Sequence, residues 1–188
     1  MEGTSKKDVN SLVETLMNDA NAKNGKLLFI KYSNTFTIKF EDVLVASTDS
    51  ECAVQTLYHE FKPGMMQAAY APLMDWIGAL YKRYFSDIDF ATFLADCDVY
   101  PLHINVFKTY FECGTCRRVE TIVRNEAEYE HRQFIADLIK IFNTIADVVP
   151  ILMIFDNLQY CERSLLVFLE KLTHTSTEKR FSVLADFN

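Results

Sequence analysis

The sequence predicts an α/β domain built on a parallel sheet with helices on both faces. Three observations carry this. Short apolar runs alternate along the chain with segments whose apolar residues recur at helical spacing, the pattern of strands joined by crossover helices. The run Ile151 to Phe155 is apolar without alternation, as expected of a central parallel strand buried on both faces. The chain has 188 residues, 49% hydrophobic and 24% charged, which suits one domain with a real core and not a disordered segment.

The elements follow in order. Asp8 to Ala22 reads as a helix because Leu12, Val13, Leu16 and Ala20 share one face, and Asn24-Gly25 breaks it. Lys26 to Lys31 (KLLFIK) is a first buried strand. Ser33 to Glu51 is ambiguous: its β-branched residues favour strand, while its place in the order of elements favours helix. Val54 to Phe61 (VQTLYHEF) reads as the second strand, with a turn at Pro63-Gly64. Helices then dominate, over Tyr70 to Phe85, Asp87 to Cys97, Leu102 to Cys113 and Arg118 to Asn125. Tyr81, Tyr84, Phe85, Phe90, Phe93, Phe107, Tyr110 and Phe111 recur there at helical intervals, and such a stripe is core more often than a ligand box. Glu126 to Asp147 is the longest helix, with Phe134, Leu138, Ile141, Phe142 and Ile145 on one face. Pro150 to Phe155 is a strand, Ser164 to Leu172 a helix and Arg180 to Asp186 a last strand. The expectation is a single domain over 1–188, or a piece of a longer multidomain chain, since the sequence stops just after a strand.

Composition excludes some functions. A formal net charge of -7 repels phosphate backbones, and the basic runs (Lys6-Lys7, Lys82-Arg83, Arg117-Arg118, Lys179-Arg180) are too short for a nucleic-acid track. No signal peptide and no run near ~20 apolar residues is present, so the reading is cytoplasmic, without membrane association. The five cysteines are odd in number and irregular in spacing, which argues against a disulfide framework. Cys113-Gly-Thr-Cys116 is a lone CxxC; zinc needs four ligands, and His103 and His131 do not fit a ligand spacing, so free thiols are the expectation.

The stretch PILMIFDNLQYCERSLLVFLEKL, Pro150 to Leu172, carries the functional signal. In parallel sheets, ligands bind outside the carboxyl ends of the strands, and Asp156 lies at such an end. A carboxylate there can hold Mg²⁺ that bridges phosphates. Equally, Asp and Asn commonly cap a helix that follows a strand. Asp186, at the end of the last strand, could face the same cleft, although a surface position is the more ordinary expectation.

The wider stretch resembles the Walker B region of the STAND class of signalling ATPases, close to the AAA+ family. The apolar strand, Asp156, Leu158-Gln159 and Ser164-Leu165 match that pattern. Tyr160 stands for its usual Trp, Glu162 for its Asp, and Asn157 where a second acid is common. Ala68 to Ile77 (AAYAPLMDWI) resembles the Pro-Tyr-Ala-Pro-Leu segment of that class, and the N-terminal helix, Gly25 and first strand resemble what precedes its phosphate loop. Arg180 to Asn188 (RFSVLADFN) looks like the following strand, which in that class often ends in Arg. The resemblance implies a three-layer P-loop NTPase-like parallel sheet with a helical insertion between the second strand and the Walker B strand. It also implies a nucleotide site formed by Thr37, Lys39, Asp156 and Asn157, with Asp156 as the Mg²⁺ ligand.

The phosphate loop itself departs from the pattern. G-x-x-x-x-G-K-[ST] should begin at Tyr32, and the sequence reads Tyr-Ser-Asn-Thr-Phe-Thr-Ile-Lys. Both glycines are absent and Lys39 falls one place late. A register with Val43 to Ser47 as the first strand puts the loop at Thr48 to Gln55, which also lacks glycine and lysine. Such loops bind anions through converging backbone N–H groups. A β-carbon in a left-handed position costs roughly 1–2 kcal/mol, and a charge-assisted lysine bond is worth about 1.5–3 kcal/mol. Losing these removes on the order of 4–6 kcal/mol, about a thousand-fold in affinity. The expectation is therefore a vestigial site with no cofactor, or weakly bound ATP and Mg²⁺, in a degenerate regulatory or scaffolding module of signal transduction. Its partners would be proteins or other domains. Two alternatives stand beside it: an active signalling ATPase with an atypical loop, and an unrelated α/β interaction module in which Asp156 is only a cap.

Overall fold

The structure, a computed structural model, describes residues 6–24, 26–31, 54–64, 70–113, 128–175 and 179–187. Its elements in chain order are helix α1 (Lys6–Asn21), strands β1 (Leu27–Lys31) and β2 (Gln55–Glu60), helices α2 (Ala71–Tyr84), α3 (Phe90–Asp96), α4 (Pro101–Cys113) and α5 (Glu128–Val148), strand β3 (Ile151–Asp156), a 3₁₀ turn (Leu158–Tyr160), helix α6 (Arg163–Thr175) and strand β4 (Phe181–Phe187). The chain is α/β, and its described residues form a four-stranded parallel sheet in the order β1-β4-β3-β2. Among the described residues, α2, α3, α4 and α5 lie between β2 and β3, where the helical insertion was expected. The ambiguous segment Ser33 to Glu51, with Thr37 and Lys39, and the expected helix Arg118 to Asn125 lie outside the described residues. No helix among the described residues is long and apolar enough to cross a membrane.

The chain divides into two compact units, one of residues 1–65, 146–161 and 173–188, the other of residues 66–145 and 162–172. The first holds the sheet, α1 and the 3₁₀ turn. Ile151, Leu152, Met153, Ile154 and Phe155 are all fully buried, so β3 carries apolar side chains on both faces. β-Strand side chains alternate between faces. Leu152, Ile154 and Leu184 therefore share one face, and Val13, Leu16 and Met17 of α1 pack on it, with Leu28 and Tyr58 beside them. Burying each of these apolar side chains contributes about 1.5–3 kcal/mol. The C-terminal end of α1 is tied to the amino edge of the sheet: Lys26 pairs with Asp19 at 2.8 Å, and Arg180 donates to Asn21 Oδ1 at 3.2 Å. Continuing the alternation one pleat further, the face covered by α1 reaches Asp156 on β3 and Asp186 on β4.

The second unit is helical. Asp89 caps α3, its Oδ2 accepting from the N–H groups of Ala91 (3.0 Å) and Thr92 (3.3 Å). The aromatic stripe is core for the most part: Tyr81, Phe90, Phe93, Phe107 and Tyr110 are buried, and Tyr84, Phe85 and Phe111 are half-buried. Phe90 stacks on Phe111 with centroids 4.5 Å apart, and Phe107 stacks on Phe134 at 5.2 Å. On α5 the expected face is buried, with Phe134, Leu138, Ile141 and Ile145 inaccessible to solvent and Phe142 nearly so.

Candidate functional site

Asp156 ends β3, and Asp186 lies next to the end of β4. Because Phe155 pairs with Ala185 in parallel register, the two acids that follow lie side by side on one face at the carboxyl edge of the sheet. Neighbouring β2 supplies Tyr58, whose hydroxyl donates to Asp156 Oδ2 at 3.2 Å. Asn157 takes up a left-handed backbone conformation (φ 60, ψ 46), which Asn tolerates better than most residues. There its N–H donates to Asp186 Oδ1 at 2.7 Å. The Asn157 amide oxygen instead accepts from Gln159 Nε2 at 3.4 Å, so the residue serves the site through its main chain. The surface position expected of Asp186 is overturned: it is 7% exposed, because β4 lies between β1 and β3 and so carries its acid into the sheet's interior edge. The cap alternative for Asp156 is not what the geometry has either. The residue before the 3₁₀ turn is Asn157, with no side-chain capping bond, and Asp156 is turned to Tyr58 and Asp186.

Two carboxyl groups this close do not both ionise freely. Burial, and then the Asp186 charge, push the Asp156 carboxyl up to about 7, against the Tyr58 hydrogen bond, which favours the anion. Burial raises Asp186 as well, opposed by the Asn157 N–H. The two carboxyl groups therefore titrate as one coupled pair, both raised by burial, with the Asp186 anion steadied by the Asn157 N–H. Tyr58 is raised by burial and by the charge of Asp156, so its phenol stays protonated as a donor. A proton or a hard cation satisfies the same pair. Among the described residues, no group of three or more His, Cys, Asp or Glu forms a metal set. Of the four residues expected at the nucleotide site, Asp156 and Asn157 are neighbours in the sequence at the end of β3, each beside Asp186; Thr37 and Lys39 lie outside the described residues.

A second polar group, in the helical unit, was not signalled by any motif. His103 of α4 and Asp137 of α5 are both fully buried and joined Nδ1 to Oδ2 at 2.7 Å. Asp137 also accepts from the Tyr100 N–H at 3.1 Å and from Gln133 at 3.2 Å, and Lys140 approaches it at 3.5 Å. Lys140 in turn donates to the carbonyl of Asp98 at 2.6 Å and to its carboxylate at 2.8 Å, which fixes the α3–α4 connection to α5. His103 Nε2 is buried without a hydrogen-bond partner. His103 and Asp137 have no solvent access, and this network holds helices together. Its signal was available in the sequence as one polar residue within each apolar stripe: His103 among Val106, Phe107 and Tyr110, and Asp137 among Phe134, Leu138 and Ile141. Elsewhere, Tyr70 bonds His131 Nε2 at 2.6 Å, and burial lowers the pKa of that imidazole. Cys97, Cys113 and Cys161 are free thiols, and burial pushes Cys97 up to about 11, far from a reactive thiolate. Cys116 lies outside the described residues.

Set against known protein families and against curated proteins, the sequence finds no match in either.

Proposed function

We propose that the chain is a degenerate nucleotide-binding domain of the STAND/AAA type that acts as a regulatory or scaffolding module in signal transduction, with weak or no ATP hydrolysis. The observation that carries this reading is the carboxyl pair at the strand ends. An acid at the carboxyl edge of a parallel sheet is where such an ATPase holds its metal. Here that acid lies beside a second, buried one, and burial with the neighbouring charge raises its carboxyl to about 7. A triphosphate approaching this edge meets an anion and a carboxyl group already satisfied by Tyr58 and Asp186. The segment where the sequence pattern expects a phosphate loop has no glycines and a lysine one place late. Both halves of the site thus depart in the direction that weakens nucleotide binding. With nucleotide set aside, such a domain acts through protein contacts, with partner proteins or other domains of a longer chain. The localisation proposed is cytoplasmic.

Isothermal titration of the chain with Mg-ATP tests the reading. The expected dissociation constant is about millimolar or weaker, following the thousand-fold loss estimated for the loop. Micromolar binding would overturn the reading, and phosphate release abolished by Asp156→Ala and Lys39→Ala would instead establish an active ATPase with an atypical loop.

A further inference from the structure

Between α2 and α4 lies an open groove of about 290 Å³, within the helical unit and distant in chemistry from the carboxyl pair. Its floor forms where Gly78 faces Phe111: a β-carbon at position 78 would come within 3.1 Å of the ring, so the ring lies directly on the α2 backbone. Phe90 stacks on Phe111 and holds its orientation. At one end, the Tyr110 hydroxyl donates to Asp75 Oδ1 at 3.0 Å, which fixes an exposed carboxylate and leaves Oδ2 for another donor. Tyr110 itself is buried, so this anchor is rigid. Lys82 sets its ammonium over the Phe111 ring, 4.9 Å from the centroid. Met74 adds an apolar side chain to the lining.

We propose that this groove binds a small organic ammonium ion with an apolar body, its charge shared between Asp75 and the face of Phe111. Three features select a cation. The fixed carboxylate is the groove's hydrogen-bond acceptor for a charged donor. The half-buried Phe111 ring attracts an ammonium, and the chain places one of its own, that of Lys82, 4.9 Å from its centroid. The net charge of -7 draws cations toward the surface and repels anions. The volume is at the lower end of the range for small-molecule sites, so the occupant is no larger than a substituted aromatic or short alkyl amine. Lys82 is then an internal competitor that leaves the ring when the ligand arrives.

Phenethylammonium is a suitable probe, with neutral 2-phenylethanol and anionic phenylacetate as controls, followed by amide signals of Gly78 and Ala79 in nuclear magnetic resonance titrations. Saturable shifts are expected with phenethylammonium, about tenfold tighter than with 2-phenylethanol, the factor one charge-assisted contact supplies. Asp75→Asn should abolish that preference. Lys82→Gln, an exposed substitution that leaves the fold intact, should tighten phenethylammonium binding, because it removes the competing ammonium. The proposal is overturned if phenethylammonium gives no saturable shift in the wild-type chain and the Lys82→Gln variant. Phenylacetate binding as well as phenethylammonium, or Lys82→Gln weakening the interaction, would overturn it equally.

Discussion

Asp156 and Asp186 show how burial and a neighbouring acid together change the character of a strand end. A solvated Asp is ionised well below neutrality. Burial first, and then the Asp186 charge, hold the Asp156 carboxyl up to about 7. The consequence for stability has a definite sign. The folded pair binds a proton that the unfolded chain, with an Asp near 3.9, releases earlier. Stability from this group is therefore largest below about pH 4, falls as pH rises toward 7, and levels above it. The carboxyl is half-exposed, so water screens much of the penalty, and about 1–2 kcal/mol reaches stability. Asp156→Asn keeps a neutral donor toward Asp186 and removes the titration. In urea unfolding at mildly acidic and mildly alkaline pH, the variant should gain about 1–2 kcal/mol on the wild type as pH rises. A difference between the two proteins that is independent of pH would show that the Asp156 carboxyl is not raised in the folded chain.

At the scale of elements, the helical unit depends on a polar contact inside an apolar surface. Asp137 accepts hydrogen bonds from the Tyr100 main chain, from His103 and from Gln133. Asp137→Ala leaves those donors buried and unpaired, and should cost about 2–4 kcal/mol in chemical denaturation. A loss below about 1 kcal/mol would mean that the connection between α3 and α4 does not rely on this acid. The element boundaries themselves were legible. Apolar spacing located α1, α4 and α5 to within a few residues, because burial of one helical face imposes the period that the sequence displays. β3 was legible for the opposite reason, its lack of alternation. The His103–Asp137 pair was passed over because an apolar stripe is recognised by its majority residues, and the two polar exceptions belong to helices far apart in the chain.

For the molecule as a whole, the weakened nucleotide site has a thermal consequence. A ligand stabilises by RT ln(1 + [L]/Kd), so millimolar Mg-ATP acting on a millimolar site contributes only about 0.4 kcal/mol. For a chain of this size, that is a rise of less than about 2 °C in Tm. A micromolar site under the same conditions would contribute about 4 kcal/mol and raise Tm by roughly 10 °C. Differential scanning fluorimetry with Mg-ATP and with Mg²⁺ alone separates the two, and the larger shift would remove the degenerate-site reading. The α/β class was readable from the alternation of runs. The order β1-β4-β3-β2 was not, because any order of parallel strands with crossover helices presents a similar succession of elements along the chain.

The sequence alone determined what local chemistry decides: which segments bury an apolar face, where glycine is missing from the expected phosphate loop, and that Asp156 ends an apolar strand. Periodicity and backbone sterics act within a few residues, so they can be read without the fold. Tertiary structure decided which charged groups meet. Asp186 is 30 residues after Asp156, and Tyr58 nearly a hundred before it. Only the insertion of β4 beside β3, and of β2 on its other side, turned three separate strand residues into one site.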